Sequence, residues 1–296
     1  MPTRWQLVRK AILAALDSND SRVLRRRDLE QILSRNRGEW RLAQHATVAE
    51  FIAYLTKRAR LRRVDLPFPV RKEIRYTWGD VPLSAVLMTV KPGCYFSHYT
   101  AVHMHELTEQ DPKTLYVNVE QPPKPVPTSG LVQERIDAAF ARKPRMSKNV
   151  ARLRDVRVCL LNGKHTGQLG VESREVNSAD GGTEWTIRVT DVERTLIDIV
   201  VRPFYAGGVG EVLKAYRLAA PKVSVNRLAA LLGQLAYVYP YHQAIGFYLE
   251  RSGAYKTALI DAFRQKFSRE FDFYLTYNMS NARYDKRWRL FVPQGF

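Results

Sequence analysis

The sequence has too little cysteine for a disulfide framework or a thiolate zinc module. Its 296 residues include two cysteines, Cys94 and Cys159, and both lie among apolar neighbours. Such sparse usage is typical of proteins in a reducing compartment. Long apolar runs are missing too: no stretch reaches the length of a membrane span, and the charged N-terminus lacks a run of signal-peptide length. We therefore expect a cytoplasmic protein with no membrane partner.

Sequence motifs for nucleotide or acyl chemistry are also missing. The chain contains no Walker A loop, Rossmann glycine pattern, Gly-x-Ser-x-Gly elbow or Cys–His nucleophile signature. His98, His103 and His105 lie five and then two residues apart, so they do not share a helix face as the i, i+4 pair of a zinc helix does. We expect no catalytic residue, no metal and no cofactor, and we interpret these histidines as packing or hydrogen-bonding residues.

Negative charge is scarce relative to positive charge. The chain has 47 Lys+Arg against 29 Asp+Glu, a formal net charge of +18. Residues 1–78 carry +10 of this charge, and the remaining 218 residues carry +8. A polyanionic partner is therefore favoured, and the first 78 residues are where it would bind. With 45% apolar and 11% aromatic residues, the rest of the chain has enough apolar surface to form a second, larger core.

The segment from residue 47 to residue 58 has the pattern of a DNA recognition helix. Thr47 and Glu50 have the spacing of a capping box, which predicts a helix start. An apolar stripe follows at i, i+3, i+4 and i+7, namely Val48, Phe51, Ile52 and Leu55. The opposite face carries Tyr54, Lys57 and Arg58, which suit a major groove. With Arg41 and Thr47 near the amino end of the helix, these three residues are our candidates for reading base edges.

A basic β-ribbon is predicted directly after this helix. Residues 61–65 and 72–78 have strand patterns, and the Pro67–Pro69 turn between them interrupts the pairing. The predicted phosphate contacts on this wing are Arg62, Arg63, Arg71, Lys72 and Arg75. His45 is a further candidate for contacting a phosphate or a base edge. An equal alternative is that His45 is simply part of the segment that leads into the helix. A solvated charged face on a small helical domain remains the alternative for the whole region.

The order of elements predicts two domains and a mixed α+β fold class. Helices at 4–17 and 26–36 precede the recognition helix and the ribbon, which is the order of a winged helix-turn-helix. The Gly79–Pro82 break places the boundary, so we predict a DNA-binding domain over 1–80 and a larger α/β domain over 81–296. In the second domain we expect a mixed sheet with several helices, a hairpin around 178–182, and a terminal hairpin whose loop is 278–285.

Three further patterns in the second domain leave alternatives open. The basic run Arg142, Lys143, Arg145 and Lys148 is either a second phosphate contact or, as we favour, a solvated loop. Thr190 and Glu193 have capping-box spacing, and Arg194 and Asp198 form an i, i+4 pair, which together favour a structural network over catalysis. The aromatic residues of 237–248 fit a packed core or a protein-partner surface better than base stacking.

Several motifs in the centre of the chain resemble the AbiEi family of antitoxins. They are the runs SHYTAVHMHELT (97–108) and VTDVERTLID (189–198), followed by GGV (207–209) and YPYHQAIGFYLE (239–250). The winged helix predicted in front of them matches the domain order of the family. Within the family, the chain is similar to actinobacterial members paired with nucleotidyltransferase toxins.

This resemblance implies a DNA-binding antitoxin and transcriptional autorepressor of a toxin–antitoxin, or abortive-infection, module. The winged helix would bind inverted repeats in double-stranded DNA of the protein's own promoter. The C-terminal domain would neutralise a cognate nucleotidyltransferase-like toxin. The family pattern supplies no catalytic residue, and the 142–182 segment is longer and more basic here than in many relatives.

Two other functions fit the same composition. One is a nucleic-acid-processing enzyme, a metal-dependent nuclease that would use Glu193 and Asp198 and hold its substrate with the basic front end. The other is a protein-interaction module whose basic helices are incidental. Cleavage abolished by Asp198→Ala would favour the first, and toxin binding without any DNA binding would favour the second.

Overall fold

The computed structural model describes residues 3–125, 130–177 and 184–296. Within these ranges the chain is mixed α+β, as the sequence predicted. It forms two compact units. The first contains the described residues of 1–92, 151–153 and 174–187, and the second contains those of 93–150, 154–173 and 188–296. The predicted division at residues 80 and 81 stays a prediction.

The first unit begins with five helices and a small three-stranded sheet. In chain order its elements are α1 (Arg4–Leu7), α2 (Arg9–Asp17), β1 (Val23–Leu24), α3 (Arg26–Asn36), α4 (Val48–Arg58), β2 (Leu61–Leu66), β3 (Glu73–Trp78) and α5 (Leu83–Leu87). The sheet is antiparallel in the order β1-β3-β2. The helix predicted over 4–17 is interrupted at Val8, whose φ of −96° and ψ of 11° leave the helical region.

Apolar residues from every helix except α1 and α5 build the core of this unit. Phe51 and Leu55 of α4 are fully buried and pack with Leu29 of α3 and with Trp40, which is 1% exposed. The ring of Trp5, on α1, stacks on Phe51 with a centroid distance of 5.6 Å. The apolar stripe predicted for α4 therefore faces the core.

The remaining elements begin with strands interspersed with two helices, continue with a run of helices and end with three short strands. They are β4 (Tyr95–Phe96), α6 (His98–Met104), β5 (Thr114–Glu120), α7 (Gln133–Phe140), β6 (Val150–Arg152), β7 (Arg157–Gly163), β8 (Val171–Asn177), β9 (Glu184–Thr190), α8 (Val192–Val201), a 3-10 turn (Pro203–Tyr205), α9 (Val209–Ala219), α10 (Val225–Leu235), α11 (Tyr241–Arg251), α12 (Thr257–Lys266), β10 (Phe273–Tyr274), β11 (Ala282–Asp285) and β12 (Leu290–Pro293). A six-stranded sheet has the order β6-β7-β5-β4-β9-β8. It is mixed, because β5 pairs antiparallel with β4 and parallel with β7. The loop of the hairpin predicted around 178–182 lies outside the described residues.

Helix α8 is the centre of the second unit. Every residue from Glu193 to Val200 is buried, and the helix packs against α6, α9, α10 and α11. The aromatic region, predicted to be a packed core or a protein-partner surface, contributes to the core: Tyr241, Phe247 and Tyr248 are buried in the same apolar cluster. A helix buried on all sides leaves its polar residues dependent on partners from neighbouring segments.

The predicted terminal hairpin is wrong. Strand β10 pairs with β12 in parallel, with Phe273 opposite Leu290. Strand β11, which comes from the segment predicted to be the loop, pairs with β12 in antiparallel fashion. Alternating apolar residues identify a strand but not its neighbour, so the sequence could not distinguish this three-stranded sheet from a hairpin.

Close packing at Gly246 leads to a prediction about stability. A Cβ atom at this position of α11 would lie 2.0 Å from Cζ3 of the buried Trp288. The Trp288 indole cannot move away freely, because its Nε1 donates a hydrogen bond to Glu250 at 2.5 Å. We expect Gly246→Ala to lower the free energy of unfolding by roughly 3 kcal/mol, the cost of overpacking a core.

Urea denaturation of the full chain would measure this effect. Gly233→Ala is the matched control, since it lies in helix α10 and its Cβ would meet nothing within 4 Å. We expect the control to gain up to about 1 kcal/mol through helix propensity. Equal stability of the two variants would contradict the assigned packing.

Candidate nucleic-acid interface

Helix α4 starts as predicted, with Thr47 as its N-cap. The Thr47 hydroxyl accepts a hydrogen bond from the Glu50 N–H at 3.2 Å, and the Glu50 carboxylate accepts one from the Thr47 N–H at 2.7 Å. These bonds complete the capping box and lower the pKa of Glu50. The N–H and the hydroxyl of Thr47 thus hold the helix end, and its contact with a base edge stays a prediction.

The solvent face of α4 differs in part from the one predicted. Its exposed residues are Ala49, Glu50, Ala53, Thr56, Lys57 and Arg58, and the short side chains among them lie along one stripe at i, i+4 and i+7. Tyr54 is not on this stripe: it is half-buried, and its ring stacks on Trp5 with a centroid distance of 5.8 Å. Tyr54 therefore belongs to the packing of the unit. The short side chains would let the helix approach a surface closely, and the sequence analysis missed them because it selected charged, aromatic and capping residues.

The segment leading into α4 exposes two of the predicted residues. Arg41 and His45 both lie at the surface, and Arg41 has a positive φ of 48° within a turn. Arg37 holds this segment in place by donating hydrogen bonds to the carbonyl oxygens of Ala43 at 2.7 Å and of Ala46 at 2.9 Å. The backbone around His45 is thus fixed by an arginine that the sequence did not single out.

Three wing arginines are exposed and lie in ion pairs. Arg62 pairs with Asp80 at 2.6 Å and Arg63 with Asp65 at 2.8 Å. Arg71 lies 3.4 Å from Glu73 and retains 78% of its side-chain exposure. Exposed ion pairs contribute about 0–1 kcal/mol, so such guanidinium groups can exchange a carboxylate for a phosphate at little cost.

Arg75 does not lie on the surface of the wing. Its side chain is 2% exposed, and its Nε donates to the Thr89 hydroxyl at 3.0 Å. Other nitrogens of the same guanidinium donate to the Thr89 carbonyl oxygen and to Glu73, both at 2.9 Å. The predicted phosphate contact by Arg75 is therefore wrong. Strand alternation turned this side chain inward, and its partner Thr89 lies beyond the segment that the prediction considered.

A basic groove forms instead where the wing meets the start of α3. Its volume is about 420 Å³, and its charged lining is Arg25, Arg26, Arg27, Arg71, Lys72, Arg75 and Lys91, with Glu73. Arg26, Lys72 and Lys91 are exposed, and none of the three has an ion-pair partner in the part of the chain that the structure describes. The positive end of the α3 dipole adds to this charge. The sequence signal that we missed was the Arg25–Arg27 run before the predicted second helix.

The polar residues of α8 form a structural network. The Arg194 Nε donates to Asp198 at 2.8 Å, and another nitrogen of the same group donates to the Leu169 carbonyl oxygen at 2.6 Å. Asp191, and not the predicted Thr190, caps the helix by accepting from the Arg194 N–H at 2.7 Å. Glu193 accepts from the Ser224 N–H at 3.0 Å instead of completing a capping box. Within the described ranges, no group of three or more acidic, histidine or cysteine side chains is arranged to hold a metal.

The central motif has three histidines, and two of them are buried and held by hydrogen bonds, as expected. The buried His98 has its Nδ1 2.9 Å from the Ser97 hydroxyl, and the buried His105 has its Nε2 2.6 Å from the Thr190 carbonyl oxygen. His103 is half-buried and lies 3.3 Å from Asp111. Burial lowers the pKa of His98 to about 4, and it lowers the pKa of His242 to about 4 as well.

These two histidines make stability depend on pH. A histidine with a lowered pKa in the folded state favours folding fully above its unfolded pKa, near 6.5, and loses this contribution as the pH falls towards 4. We expect each histidine to contribute a slope of about 1.4 kcal/mol per pH unit to the free energy of unfolding in this window. Urea denaturation between pH 6.5 and 5.0 would show a shallower slope of the unfolding free energy against pH for His98→Asn and for His242→Gln. Unchanged slopes would contradict the assignment.

Comparisons with known proteins bear on the fold alone. No helix in the described ranges combines the length and apolar character needed to cross a membrane. No protein-family model matches the chain, and no curated protein sequence matches it. Among solved structures, the chain is similar to the RV2827C protein from Mycobacterium tuberculosis, with a TM-score of 0.57 and 16% sequence identity. The match covers 98% of this chain and 92% of that chain, so the likeness extends through both compact units.

Proposed function

We propose that the protein is a DNA-binding antitoxin and transcriptional autorepressor whose residues 1–80 form a winged helix-turn-helix domain. The observation that carries this proposal is the exposed stripe of short residues on α4, with Lys57 at its end. This helix packs against α3 and β2. The exposed cations of the wing and of the basic groove lie next to these two elements. A helix with short exposed side chains and a cationic end, on a unit rich in arginine, suits a major groove better than it suits a protein surface.

The interface then divides into two parts. Base edges are read by the α4 stripe, with Lys57, Arg58, Arg41 and His45 around it. Phosphates are neutralised by the exposed wing cations Arg62, Arg63, Arg71 and Lys72, together with Arg26 and Lys91 of the basic groove. Contacts to phosphate position a protein on the duplex, and contacts to base edges select the sequence. The target is double-stranded DNA of the protein's own promoter, bound at inverted repeats.

The second unit neutralises a cognate nucleotidyltransferase-like toxin in the cytoplasm. This part of the proposal rests on the resemblance of the 97–108 and 189–198 motifs to AbiEi antitoxins. The contacts of Glu193 with Ser224 and of Asp198 with Arg194 favour a structural role for these carboxylates over metal-dependent cleavage. The protein is accordingly proposed to be a regulator and not an enzyme.

A mobility-shift titration of the full chain tests the DNA-binding half. The probes are the DNA upstream of its own gene and an unrelated duplex of equal length. We expect tighter binding to the upstream DNA, lost in Lys57→Glu/Arg58→Glu and retained in the control Arg251→Glu/Lys256→Glu, which changes exposed residues of the second unit. Equal affinity for both probes, or no shift, would overturn the autorepressor function.

Co-expression with the toxin encoded next to the gene tests the toxin-neutralising half of the proposal. Rescue of growth is the expected result.

A further inference from the structure

A second basic cavity lies in the second unit, between the loop after α7 and the 3-10 turn. Its volume is about 380 Å³, within the range of small-molecule sites. Four cations line it: Arg142, Lys143 and Arg145 from the loop, and Arg202 from the end of α8. No carboxylate contributes to the lining. We call this site the basic-aromatic cavity.

The four cations have no internal counter-charge. None of them forms an ion pair within the described ranges, and the Arg202 side chain is half-buried without a hydrogen-bond partner there. The loop cations are exposed, but they converge on one cavity with Arg202 instead of spreading over the surface. Partly burying a charge without a partner costs free energy, and a bound anion would remove that cost. The cavity is therefore arranged for a ligand with more than one negative charge.

The remaining wall of the cavity is aromatic. Phe204, Tyr239 and Tyr277 contribute to the lining, and all three are half-buried. Tyr277 stacks on the buried Phe140 with a centroid distance of 4.4 Å, and Phe204 lies edge-on to Tyr277 at 6.1 Å. Tyr239 lies edge-on to Phe140 at 5.4 Å. Because packing fixes these rings, a planar ligand would meet a preformed surface without an entropic cost for ordering it.

We propose that the basic-aromatic cavity binds a nucleotide, with its phosphates on the four cations and its base against the aromatic wall. Aromatic rings next to arginine and lysine are the combination that recognises an unpaired nucleotide, since the rings stack on the base while the cations neutralise the backbone. A duplex cannot offer its bases in this way, so the site is separate from the proposed promoter contacts. The nucleotide is either free or the end residue of a single-stranded RNA.

Fluorescence titration of the full chain tests this assignment. The probes are mant-labelled ATP and GTP, a short fluorescein-labelled single-stranded RNA, and unlabelled inorganic triphosphate as competitor. The variants are Arg142→Gln/Lys143→Gln/Arg145→Gln, which removes the loop cations, and Phe204→Leu, which removes one ring but keeps its apolar volume. The control is Arg251→Gln/Lys256→Gln, because these exposed residues do not line the cavity. Thermal unfolding of each variant verifies that it is folded.

The expected results separate phosphate from base recognition. Loss of the loop cations should weaken binding on the order of a hundredfold, as expected for two or more charge-assisted hydrogen bonds. Phe204→Leu should weaken it about tenfold through lost stacking, and the control should bind as the wild type does. Displacement of the RNA by mononucleotide would identify a free nucleotide as the ligand, and much tighter binding of the RNA would identify a strand end. The absence of saturable binding, or equal competition by triphosphate and nucleotide, would overturn the proposal.

Discussion

Replacing Arg194 with methionine is expected to lower the free energy of unfolding by about 3–5 kcal/mol. The two side chains of the Arg194–Asp198 pair are 4% and 7% exposed, and their Nε–Oδ1 distance is 2.8 Å. Burial is the largest single effect and alone would lower the pKa of Arg194, but Asp198 together with Tyr237 and Tyr95 outweighs it, and the pKa is raised. The methionine variant therefore leaves a buried carboxylate without its counter-charge in the middle of α8.

The effect extends to the loop before β8, which contacts Arg194. The Arg194 guanidinium also donates to the Leu169 carbonyl oxygen and, at 3.2 Å, to the Thr166 hydroxyl. An unsatisfied buried acceptor costs roughly 1–3 kcal/mol. We expect the segment at 166–169 to gain faster hydrogen exchange in the variant, because it loses the donor that fixes it to α8.

The matched control is the double variant Arg194→Met/Asp198→Leu, which removes both charges. It should recover much of the loss, since replacing a buried pair with apolar residues is often close to neutral. Urea denaturation of the wild type and the two variants supplies the comparison. If Arg194→Met unfolded at the same urea concentration as the wild type, the network would not be structural. Glu193 and Asp198 would then again be candidates for metal-dependent cleavage.

Local signals predicted helices α3 and α4 and the β2–β3 ribbon well. Helices α3 and α4 begin within one residue of the predicted starts. Their apolar residues recur over neighbouring turns, and the Thr47–Glu50 pair that starts α4 lies within a single turn. The ribbon was predicted to within one residue at each strand boundary, since the proline-bounded turn separates two strand patterns. These features depend on neighbours a few residues apart, which one sequence displays directly.

Long-range contacts account for what the sequence could not supply. The inward position of Arg75 is explained by Thr89, fourteen residues further on, which accepts two hydrogen bonds from its guanidinium group, while Glu73 accepts a third. The half-burial of Tyr54 is explained by Trp5 at the other end of the unit. The basic-aromatic cavity is a stronger case, because Arg142 and Tyr277 are distant in the chain. Charge and periodicity identify candidate residues, but tertiary partners decide which of them remain available.

The proposed interface makes its own quantitative prediction about salt. If the wild type neutralises about six phosphates, a plot of log affinity against log salt concentration should have a slope near −5. Removing the three unpaired groove cations with Arg26→Gln/Lys72→Gln/Lys91→Gln should make this slope shallower by about 2.7. Affinity at low salt should fall on the order of a hundredfold, and equally for promoter and unrelated DNA, because phosphates carry no sequence information.

A substitution on the α4 stripe should have the opposite signature. Ala53→Gln adds a bulky side chain at an exposed position without changing charge. We expect the salt slope to stay at the wild-type value while the preference for promoter over unrelated DNA decreases at least tenfold, as for one or two lost base contacts. Titrations at several salt concentrations with both DNAs measure the two quantities together. If the groove variant changed sequence preference while Ala53→Gln changed only the slope, the roles assigned to α4 and to the basic groove would have to be exchanged.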